Sequence, residues 1–534
     1  HRGYEGALDP PRRPIRCIMI DQIRVAAGQF AATTDLAENL ASCLRLINEA
    51  AANGAALIVL PEFANHLSVY ESLDHCRSVA VELDGAWMSA ISDRASVLNI
   101  DVALAVTIPR DDRVTITSVL FDAVGQIIAT ADKQTLMGNE RTYLTGGASC
   151  SPLADTRYGP IGIYACMDGV TFEIPRTFAV RGARLLLNSL NSFALDEAAL
   201  HIPVRAVENG VFVVAANKVG PLLPVDQVEM FSQALGIPPQ VLQGAGESQI
   251  VAPDGEVLAS ASRTEEELIV ADIDLAEVRP LKDRFSHRRP EIYGPLAKPH
   301  SAAPHDDVPE SIVVRCVRSQ TSDAVEAQLV VLPEGTAPPA SIPDGVWVAT
   351  SAVVDQRHVG QLWTRNGLHH EQAQLHHSDR FDTTEFGDEL ALCETPLGDI
   401  ALIVGDDHLY PEIVRLAAIQ GAHIAVVLYH PTHAWHTDLA LRERAAENRL
   451  CLVACTPLGV DGTIVLNPPR DSLWSTDRLH PYDGTINTPD AVVAGPDDSI
   501  LESRLYPARA LQREVSRNTD LVGGRSWQAS AALL

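Results

Sequence analysis

The chain of 534 residues is long enough for two or three domains, and its 46% hydrophobic and 21% charged residues are typical of globular proteins rather than disordered ones. Its formal net charge of −28 disfavours nucleic acid or an anionic membrane surface as a partner, because both require clustered Lys and Arg. No apolar run approaches the length of a membrane-spanning helix, so we expect no membrane partner.

The cysteine pattern and the start of the chain indicate the cellular environment. Nine scattered cysteines without a C-x-x-C spacing predict neither a disulfide framework nor a zinc site, and they favour a reducing compartment. Residues 1–20 are basic and contain proline, but they lack the apolar core of a secretory signal. We therefore expect a cytoplasmic protein in which residues 1–20 form an N-terminal extension outside the fold.

The first half alternates apolar β-branched runs with segments of helical periodicity. Strands interleaved with helices and hairpins predict an α/β layered sandwich on a mixed sheet. The predicted elements, in chain order, are strand 23–30, helix 35–54 ending in Gly54, strand 56–63, helix 86–100, strand 102–108, hairpin 114–133 turning at "DAVG", strand 159–166 and the helix after it, strand 183–189, helix 200–210, strand 211–220 and hairpin 246–259 with an Asp-Gly turn.

The second half repeats this pattern. Lys133 and Glu208 are 75 positions apart, as are Gln372 and Glu447, which indicates an internal duplication in constant register. A Pro-rich polar stretch, 295–310, predicts a linker between a first domain at 21–294 and a second at 311–534. The repeated segments are "AQLVVLPEG" (327–335), "GDIALIVGDDHLYPEIVR" (398–415) and "RERAAENRLCLVAC" (442–455), which resemble "AALIVLPEF", "GPIGIYACMDGVTFEIPR" and "VRAVENGVFVVAA".

The second half is also shorter than the first. Glu62 and Lys133 are 71 positions apart, whereas Glu334 and Gln372 are only 38 apart. We therefore predict that the second half lacks 33 residues, corresponding to the loop and helix around residues 65–99.

Three residues at strand ends carry the candidate chemistry: Glu62 in "LPEF", Lys133 in "DKQ" and Cys166 in "ACMDG". Each alone has an ordinary alternative, since Glu and Lys are usually solvated and free Cys is among the most buried residue types. Together they supply a thiol nucleophile, a carboxylate that moves the proton and a cation that stabilises an oxyanion. Burial would raise the pKa of the carboxyl, so a histidine base is not required.

The ordered set of motifs resembles the nitrilase superfamily of carbon–nitrogen hydrolases over about residues 22–294. The resemblance implies an α-β-β-α sandwich, with Cys166 as nucleophile, Glu62 as general base and acid, Lys133 as oxyanion stabiliser and Glu140 as a second glutamate that positions the triad. The supporting motifs are "NERTYLTGG" around Glu140, "RAVENGVFVVAANKVG" (205–220), "GESQIVAPDGEVLA" (246–259) and "RRPEIY" (288–293).

The second half departs from this pattern at the residues that matter for chemistry. In constant register Gly405 stands opposite Cys166 and Gln372 opposite Lys133, while Glu334 matches Glu62. We predict that residues 311–534 form a degenerate, catalytically inactive nitrilase-like domain. Because family members commonly dimerise, the resemblance also implies an intramolecular pseudo-dimer of the two halves, with further homo-oligomerisation open.

The resemblance implies hydrolysis of a small-molecule amide with release of ammonia through a cysteine acyl-enzyme. "CMDG" is more similar to amidase branches than to nitrilases, and "MDGVTFEIPR" has only Arg176 to hold a substrate carboxylate. A nitrilase or N-carbamoyl amine hydrolase with the same triad stays open, as do an acyltransferase and a non-catalytic scaffold or ligand-binding protein. Segments 66–76 and 188–201 are the expected pocket walls.

No metal or organic cofactor is expected. The histidine-rich stretch of the second half resembles a ligand cluster, but no Cys or carboxylate stands at zinc-like spacing, which favours a solvated polar loop. The histidines concerned are His369, His370, His376 and His377.

Overall fold

The structure, a computed structural model, describes residues 20–278, 286–299, 301–319, 327–473 and 482–534. The predicted N-terminal extension lies outside these residues except for Ile20. Within the described ranges, no helix is long and apolar enough to cross a membrane.

The strands of the first half form two six-stranded sheets. They are Gln22–Gln29 (β1), Leu57–Val59 (β2), Asp101–Arg110 (β3), Arg113–Phe121 (β4), Ile127–Asp132 (β5), Ala154–Thr156 (β6), Gly159–Ala165 (β7), Leu185–Ser189 (β8), Phe212–Ala216 (β9), Gln249–Val251 (β10), Val257–Ser260 (β11) and Glu267–Asp274 (β12).

Each sheet is mixed, with three parallel central strands flanked by antiparallel ones. The first has the order β12-β1-β2-β3-β4-β5 and the second β11-β10-β9-β8-β7-β6. Their inner faces are apolar and pack together, with Val25 and Leu57 of the first sheet in one core with Ile163 and Val214 of the second. This inter-sheet core is the centre of the first half.

Helices cover the outer face of both sheets. Residues of α1 and α3 form a core with the first sheet, and residues of α6 and α7 form one with the second. The predicted α-β-β-α sandwich is therefore confirmed for the first half. Its helices are Leu36–Ala52 (α1), Leu73–Val79 (α2), Ala86–Leu98 (α3), Glu140–Tyr143 (α4), Met167–Val170 (α5), Glu173–Val180 (α6), Ile202–Asn209 (α7) and Val225–Leu235 (α8).

Local sequence explains the bounds of α1. The Asp35 side chain accepts the N–H groups of Ala37 and Glu38 at 2.7 and 3.1 Å, which caps the first turn. Gly54 follows the last turn with a φ of +76°, a conformation that favours glycine. The hydrophobic pattern of the sequence did not predict strand β12, because most of its residues are half-exposed. In the structure β12 pairs with β1 along its whole length.

The second half contains the same pair of facing sheets, ordered β17-β16-β15-β14-β13-β24 and β18-β19-β20-β21-β22-β23 once its strands are numbered in chain order. The strands are Ile312–Val317 (β13), Leu329–Val331 (β14), Trp347–Val354 (β15), Arg357–Thr364 (β16), Gly367–Ala373 (β17), Leu392–Cys393 (β18), Ile400–Val404 (β19), Ile424–Leu428 (β20), Cys451–Ala454 (β21), Ile464–Asn467 (β22), Asp490–Val493 (β23), Ile500–Leu505 (β24) and a separate pair, Glu514–Ser516 (β25) and Thr519–Asp520 (β26).

Only one helical layer accompanies these sheets in the described part of the second half. Pro411–Gln420 (α9) and Arg442–Asn448 (α10) correspond to α6 and α7. Residues 332–346 join β14 to β15 without a helix, which confirms the predicted loss of the segment around 65–99. Sequence reasoning did not note that β13 and β14 are separated only by residues 318–328, a shorter stretch than the 17-residue α1 that joins β1 to β2.

The assumption of constant register is wrong by two residues at one site position. Asp168 accepts the N–H groups of Gln134 and Thr135, and in the second half Asp407 accepts those of Leu375 and His376. The residue equivalent to Lys133 is therefore Gln374 and not Gln372. A two-residue deletion between Gln374 and Gly405 causes the difference, and the motifs at 398–415 and 442–455 do not reveal it because both follow the deletion. Glu334 and Gln374 are 40 positions apart, so the predicted loss of 33 residues is corrected to 31.

The helical layers of the two halves pack against each other through buried ion pairs. The pairs are reciprocal between the halves. Each arginine pairs with a glutamate of the other half, and the equivalent arginine pairs back in the same way. All eight side chains are almost completely buried. The reciprocal pairs are Arg176 with Glu412 (3.1 Å), Arg415 with Glu173 (2.9 Å), Arg205 with Glu447 (2.8 Å) and Arg444 with Glu208.

Removal of one buried carboxylate from these pairs tests their contribution to stability. Glu412→Gln should lower the free energy of unfolding by about 3–5 kcal/mol, because Arg176 and Arg288 would keep buried charges without their shared partner. The matched control is Glu502→Gln, which removes an exposed pair with Arg315 and should cost less than about 1 kcal/mol. Equal losses in urea unfolding would contradict this assignment.

The same carboxylate predicts an acid limit of stability. Burial alone would raise the pKa of Glu412, but Arg176 and Arg288 outweigh it and lower the value to about 2. A depressed carboxyl pKa stabilises the folded state above the unfolded value near 4.5, and this contribution is lost as pH falls from there toward 2. The difference in stability between the native protein and Glu412→Gln should therefore shrink over that range.

Candidate active site

The three sequence-predicted residues meet where strands of the two facing sheets end. Glu62 follows β2 and Lys133 follows β5 in the first sheet, and Cys166 follows β7 in the second. A backbone hydrogen bond of 3.0 Å from Glu62 N–H to Leu190 O ties the two sheets together at this edge. All three side chains are buried, with Glu62 completely inaccessible.

A buried ion-pair cluster links Lys133 to both predicted glutamates. Its Nζ lies 2.8 Å from Glu62 Oε1 and donates hydrogen bonds of 2.9 Å to both carboxylate oxygens of Glu140. Glu140 also accepts the Met137 N–H at 2.9 Å, so it is held on both sides. Glu62 Oε2 is buried with no hydrogen-bond partner among the described residues, and it is therefore free to accept a proton.

Cys166 lies in a strained turn between β7 and α5. Its φ of +49° and ψ of −110° are unusual for a residue other than glycine. Two hydrogen bonds of 3.0 Å fix the turn, from Cys166 N–H to Asn188 Oδ1 and to Ser189 O. The strand–turn–helix geometry presents the Sγ at the sheet edge, as a nucleophile requires.

Burial and neighbouring charge set the protonation states of the cluster. Burial raises the pKa of Glu62 to about 7, although Lys133 opposes the shift. Burial and then the Glu62 charge raise the pKa of the Cys166 thiol well above its usual value. Lys133 stays charged, because the carboxylates of Glu140 and Glu62 outweigh its desolvation and raise its pKa. The thiol therefore keeps its proton until a base beside it accepts one.

A further buried lysine, which sequence reasoning missed, supports the loop after Glu62. Lys218 Nζ donates to Phe63 O at 3.0 Å, and Phe63 has a φ of +52°. Burial lowers the pKa of Lys218 to about 7. The "NKVG" of the motif at 205–220 was the available signal, but its spacing did not reveal this contact.

Arg205 of the first half and Glu447 of the second hold the backbone that follows Cys166. Arg205 donates to Gly169 O and Val170 O, both at 2.9 Å, and so caps the end of α5. Glu447 accepts one Arg205 hydrogen bond at 2.8 Å and the Phe172 N–H at 3.1 Å. The segment after Cys166 is therefore tied to the interface between the halves.

Two adjoining cavities open at this site. A cavity of about 350 Å³ contacts Glu140, and a smaller one of about 30 Å³ contacts Cys166. The expected walls at 66–76 and 188–201 both contribute to the cavities, through residues such as Tyr70 and Asn191. Residues of the second half also line both cavities. Sequence reasoning missed them because they belong to no recognisable motif. They are Leu473 and Ser516 in the larger cavity and Ile486, Asn487 and Val515 in the smaller.

In the second half, the space that corresponds to the Cys166 side chain is filled by the Gln374 side chain. A Cβ on Gly405 would overlap Gln374 Oε1, and that atom lies 2.8 Å from His358 Nδ1. Glu334 keeps its place but pairs with Arg380 at 2.6 and 3.0 Å. No side chain can therefore occupy the nucleophile position without displacing this network.

The histidine-rich stretch is not a solvated loop. His369 and His370 lie on β17, and His376 is completely buried. His376 bonds Asp407 at 2.8 Å and the Tyr293 hydroxyl at 2.6 Å, so both of its ring nitrogens have protein partners. The fold explains its burial, because His376 takes the place of Thr135 and its N–H bonds Asp407, the counterpart of Asp168.

One other group of potential metal ligands occurs within the described ranges. His305, Asp399 and His423 have ligand atoms within 4.8 Å of one another. His423 Nδ1 accepts the Asp399 N–H at 3.0 Å, and its Nε2 bonds His305 O at 2.9 Å. Both imidazole nitrogens are therefore engaged with backbone groups, which does not fit a metal ligand.

The carbon-nitrogen hydrolase family model matches residues 24–283 and 360–486, and the chain belongs to this family within the nitrilase superfamily. The nitrilase of Pyrococcus abyssi is 30% identical over 262 residues, which cover 48% of this chain and 93% of that protein. Omega-amidase NIT2 of Bos taurus is 30% identical over 293 residues, which cover 52% of this chain and 98% of that protein. The solved structure of a mutant amidase from Nesterenkonia AN1 is 25% identical in sequence and has a TM-score of 0.43. The match covers 51% of this chain and 95% of the amidase chain.

The pH dependence of thiol modification tests the cluster. A carboxyl group can accept the thiol proton only when it is ionised, and the pKa of Glu62 is raised to about 7, so we expect iodoacetamide to modify Cys166 faster as pH rises through about 7. Glu62→Gln should remove this inflection and slow the reaction near neutral pH at least tenfold. Mass spectrometry of the Cys166 peptide between pH 5 and 9 measures the rate.

The matched control is Glu71→Gln, which changes an exposed carboxyl on the neighbouring loop and should leave the profile unchanged. An inflection near pH 7 that survives in Glu62→Gln would contradict the assignment of Glu62 as the base.

Proposed function

We propose that this carbon–nitrogen hydrolase cleaves a small uncharged carboxamide through a thioester on Cys166 and releases ammonia. The observation that carries the proposal is the buried cluster of Glu62, Lys133 and Cys166, in which Cys166 lines the smaller cavity and the Lys133 partner Glu140 lines the adjoining larger one. Relatives described as amidases support the choice of amide over other carbon–nitrogen bonds.

Each residue has a defined part in the proposed reaction. Glu62 accepts the Cys166 proton while the sulfur attacks the amide carbon, and Lys133 stabilises the negative charge that develops on the oxygen. The carbon–nitrogen bond then breaks, and Glu62 returns the proton to the leaving nitrogen. Water hydrolyses the thioester with Glu62 again as base. Glu140 positions Lys133 through its two hydrogen bonds.

The larger cavity indicates the acyl group. Its described lining includes neither Lys nor Arg and is mainly apolar, with residues such as Phe63, Leu222 and Phe231. A substrate carboxylate would be buried there without a cationic partner, which is costly. An uncharged aliphatic or aromatic acyl chain of modest size therefore fits best.

The second half supplies structure instead of chemistry in this proposal. Its reciprocal ion pairs with the first half are the pattern expected between two equivalent subunits, in which residue i contacts j and j contacts i. We infer that the two halves form an intramolecular pseudo-dimer, in which the second half closes the active site.

Ammonia release tests the function. Primary aliphatic and aromatic amides should give ammonia, and Cys166→Ala should abolish it. Lys133→Met should lower kcat about 10²–10³-fold, as expected for loss of an oxyanion stabiliser. Cys150→Ala, which removes a thiol outside both cavities, should retain activity.

The substrate panel also includes nitriles and N-carbamoyl amino acids. Preferential turnover of either class, lost in Cys166→Ala, would replace the amide by that substrate while keeping the site. An absence of turnover from every class, together with an unreactive Cys166, would contradict catalysis and favour a scaffold protein.

A further inference from the structure

The smaller cavity beside Cys166 is suited to a small group. Its volume of about 30 Å³ is enough for a water molecule or an amino group, whereas the adjoining cavity of about 350 Å³ can hold an acyl chain. The two cavities share Met137, Asn191 and Phe193 as walls, so they meet next to the nucleophile. An amide bound across this junction must place its chain in the larger cavity and its nitrogen in the smaller.

Three acidic or basic side chains line the smaller cavity, and two of them are already committed. The Asp196 carboxylate accepts the backbone N–H groups of Ile486 and Asn487. His201 bonds Glu443 of the second half at 2.9 Å. These contacts fix the cavity wall and engage the Asp196 carboxylate and the His201 Nδ1.

Glu197 is the third of these side chains, and it is not committed in the same way. It is buried, and its Oε2 atom has no hydrogen-bond partner among the residues that the structure describes. A buried carboxylate oxygen without a donor is costly unless a ligand or water supplies one. Ionised carboxylates only accept hydrogen bonds, so the missing partner is an N–H or O–H group.

We propose that Glu197 accepts a hydrogen bond from the amide nitrogen of the substrate and that the cavity is a leaving-group site for a primary amide. The inference rests on the proposed function. In the acylation step the sulfur–carbon bond forms and the carbon–nitrogen bond breaks. The thiol proton passes through Glu62 to the nitrogen, which leaves as NH₃. Glu197 transfers no proton and holds one N–H in place.

The electrostatic surroundings agree with this role. Burial raises the pKa of Glu197 to about 7, while the neighbouring His201 opposes the shift. Although burial would lower the pKa of His201, Glu443 raises it to about 9. At pH 8 Glu197 is therefore mainly ionised beside a protonated imidazole and is an acceptor for N–H.

The test compares substrates that share an acyl group but differ in the leaving group, at pH 8. Glu197→Gln in the full chain should lower kcat/KM for the primary amide at least tenfold, because a carboxamide is a weaker acceptor. The methyl ester has no N–H and should change less than threefold. Glu256→Gln, an exposed turn residue, is the matched control and should change neither substrate.

A second variant tests the size of the site. The unchanged protein should favour the primary amide over its N-methyl derivative at least 100-fold, and Glu197→Ala should reduce that ratio at least tenfold by adding space. Parallel losses of amide and ester activity would overturn the proposal and indicate a structural role, as would no effect on either. If the unchanged protein hydrolyses neither substrate, the proposed function itself fails.

Discussion

The buried arginine–glutamate pairs between the two halves are the interaction on which the rest of the structure depends. Buried charges are strongly unfavourable unless each has its partner, so neither helical layer can be exposed without leaving several of them unpaired. Arg205 extends this constraint to the catalytic side, because it also holds the carbonyl groups that end α5 after Cys166. The same arginine therefore serves both the interface and the segment that follows Cys166.

This constraint accounts for what the second half has kept and what it has lost. The arginines and glutamates of the interface persist at equivalent positions, since a substitution in either half would leave a buried charge in the other. Gly405 and Gln374 stand where the first half has Cys166 and Lys133, and a polar network fills the space between them. The outer helices α1 and α3 have no described counterpart, and none of their residues lines either cavity.

Sequence patterns predicted most of the first half and the members of its cluster. Alternating apolar runs, the Gly54 that ends α1 and the Asp-Gly turn are local signals, and Glu62, Lys133 and Cys166 each follow a predicted strand. Local sequence signals do not predict which distant segments of the chain pack together. The pairing of half-exposed β12 with β1, the two-residue shift to Gln374 and the cavity walls from Leu473 and Ile486 depend on how distant segments pack.

The central claim is that a glutamate of the second half holds the nucleophile turn, and one pair of variants tests it directly. Glu447 and Glu208 each pair with both Arg205 and Arg444, but only Glu447 also accepts the Phe172 N–H. The measurement is kcat for amide hydrolysis by folded Glu447→Met and Glu208→Met, in which the side chain keeps its length but can no longer accept the hydrogen bond. The account predicts similar thermal midpoints and a kcat at least tenfold lower for Glu447→Met. Equal kcat values in the two variants would contradict it.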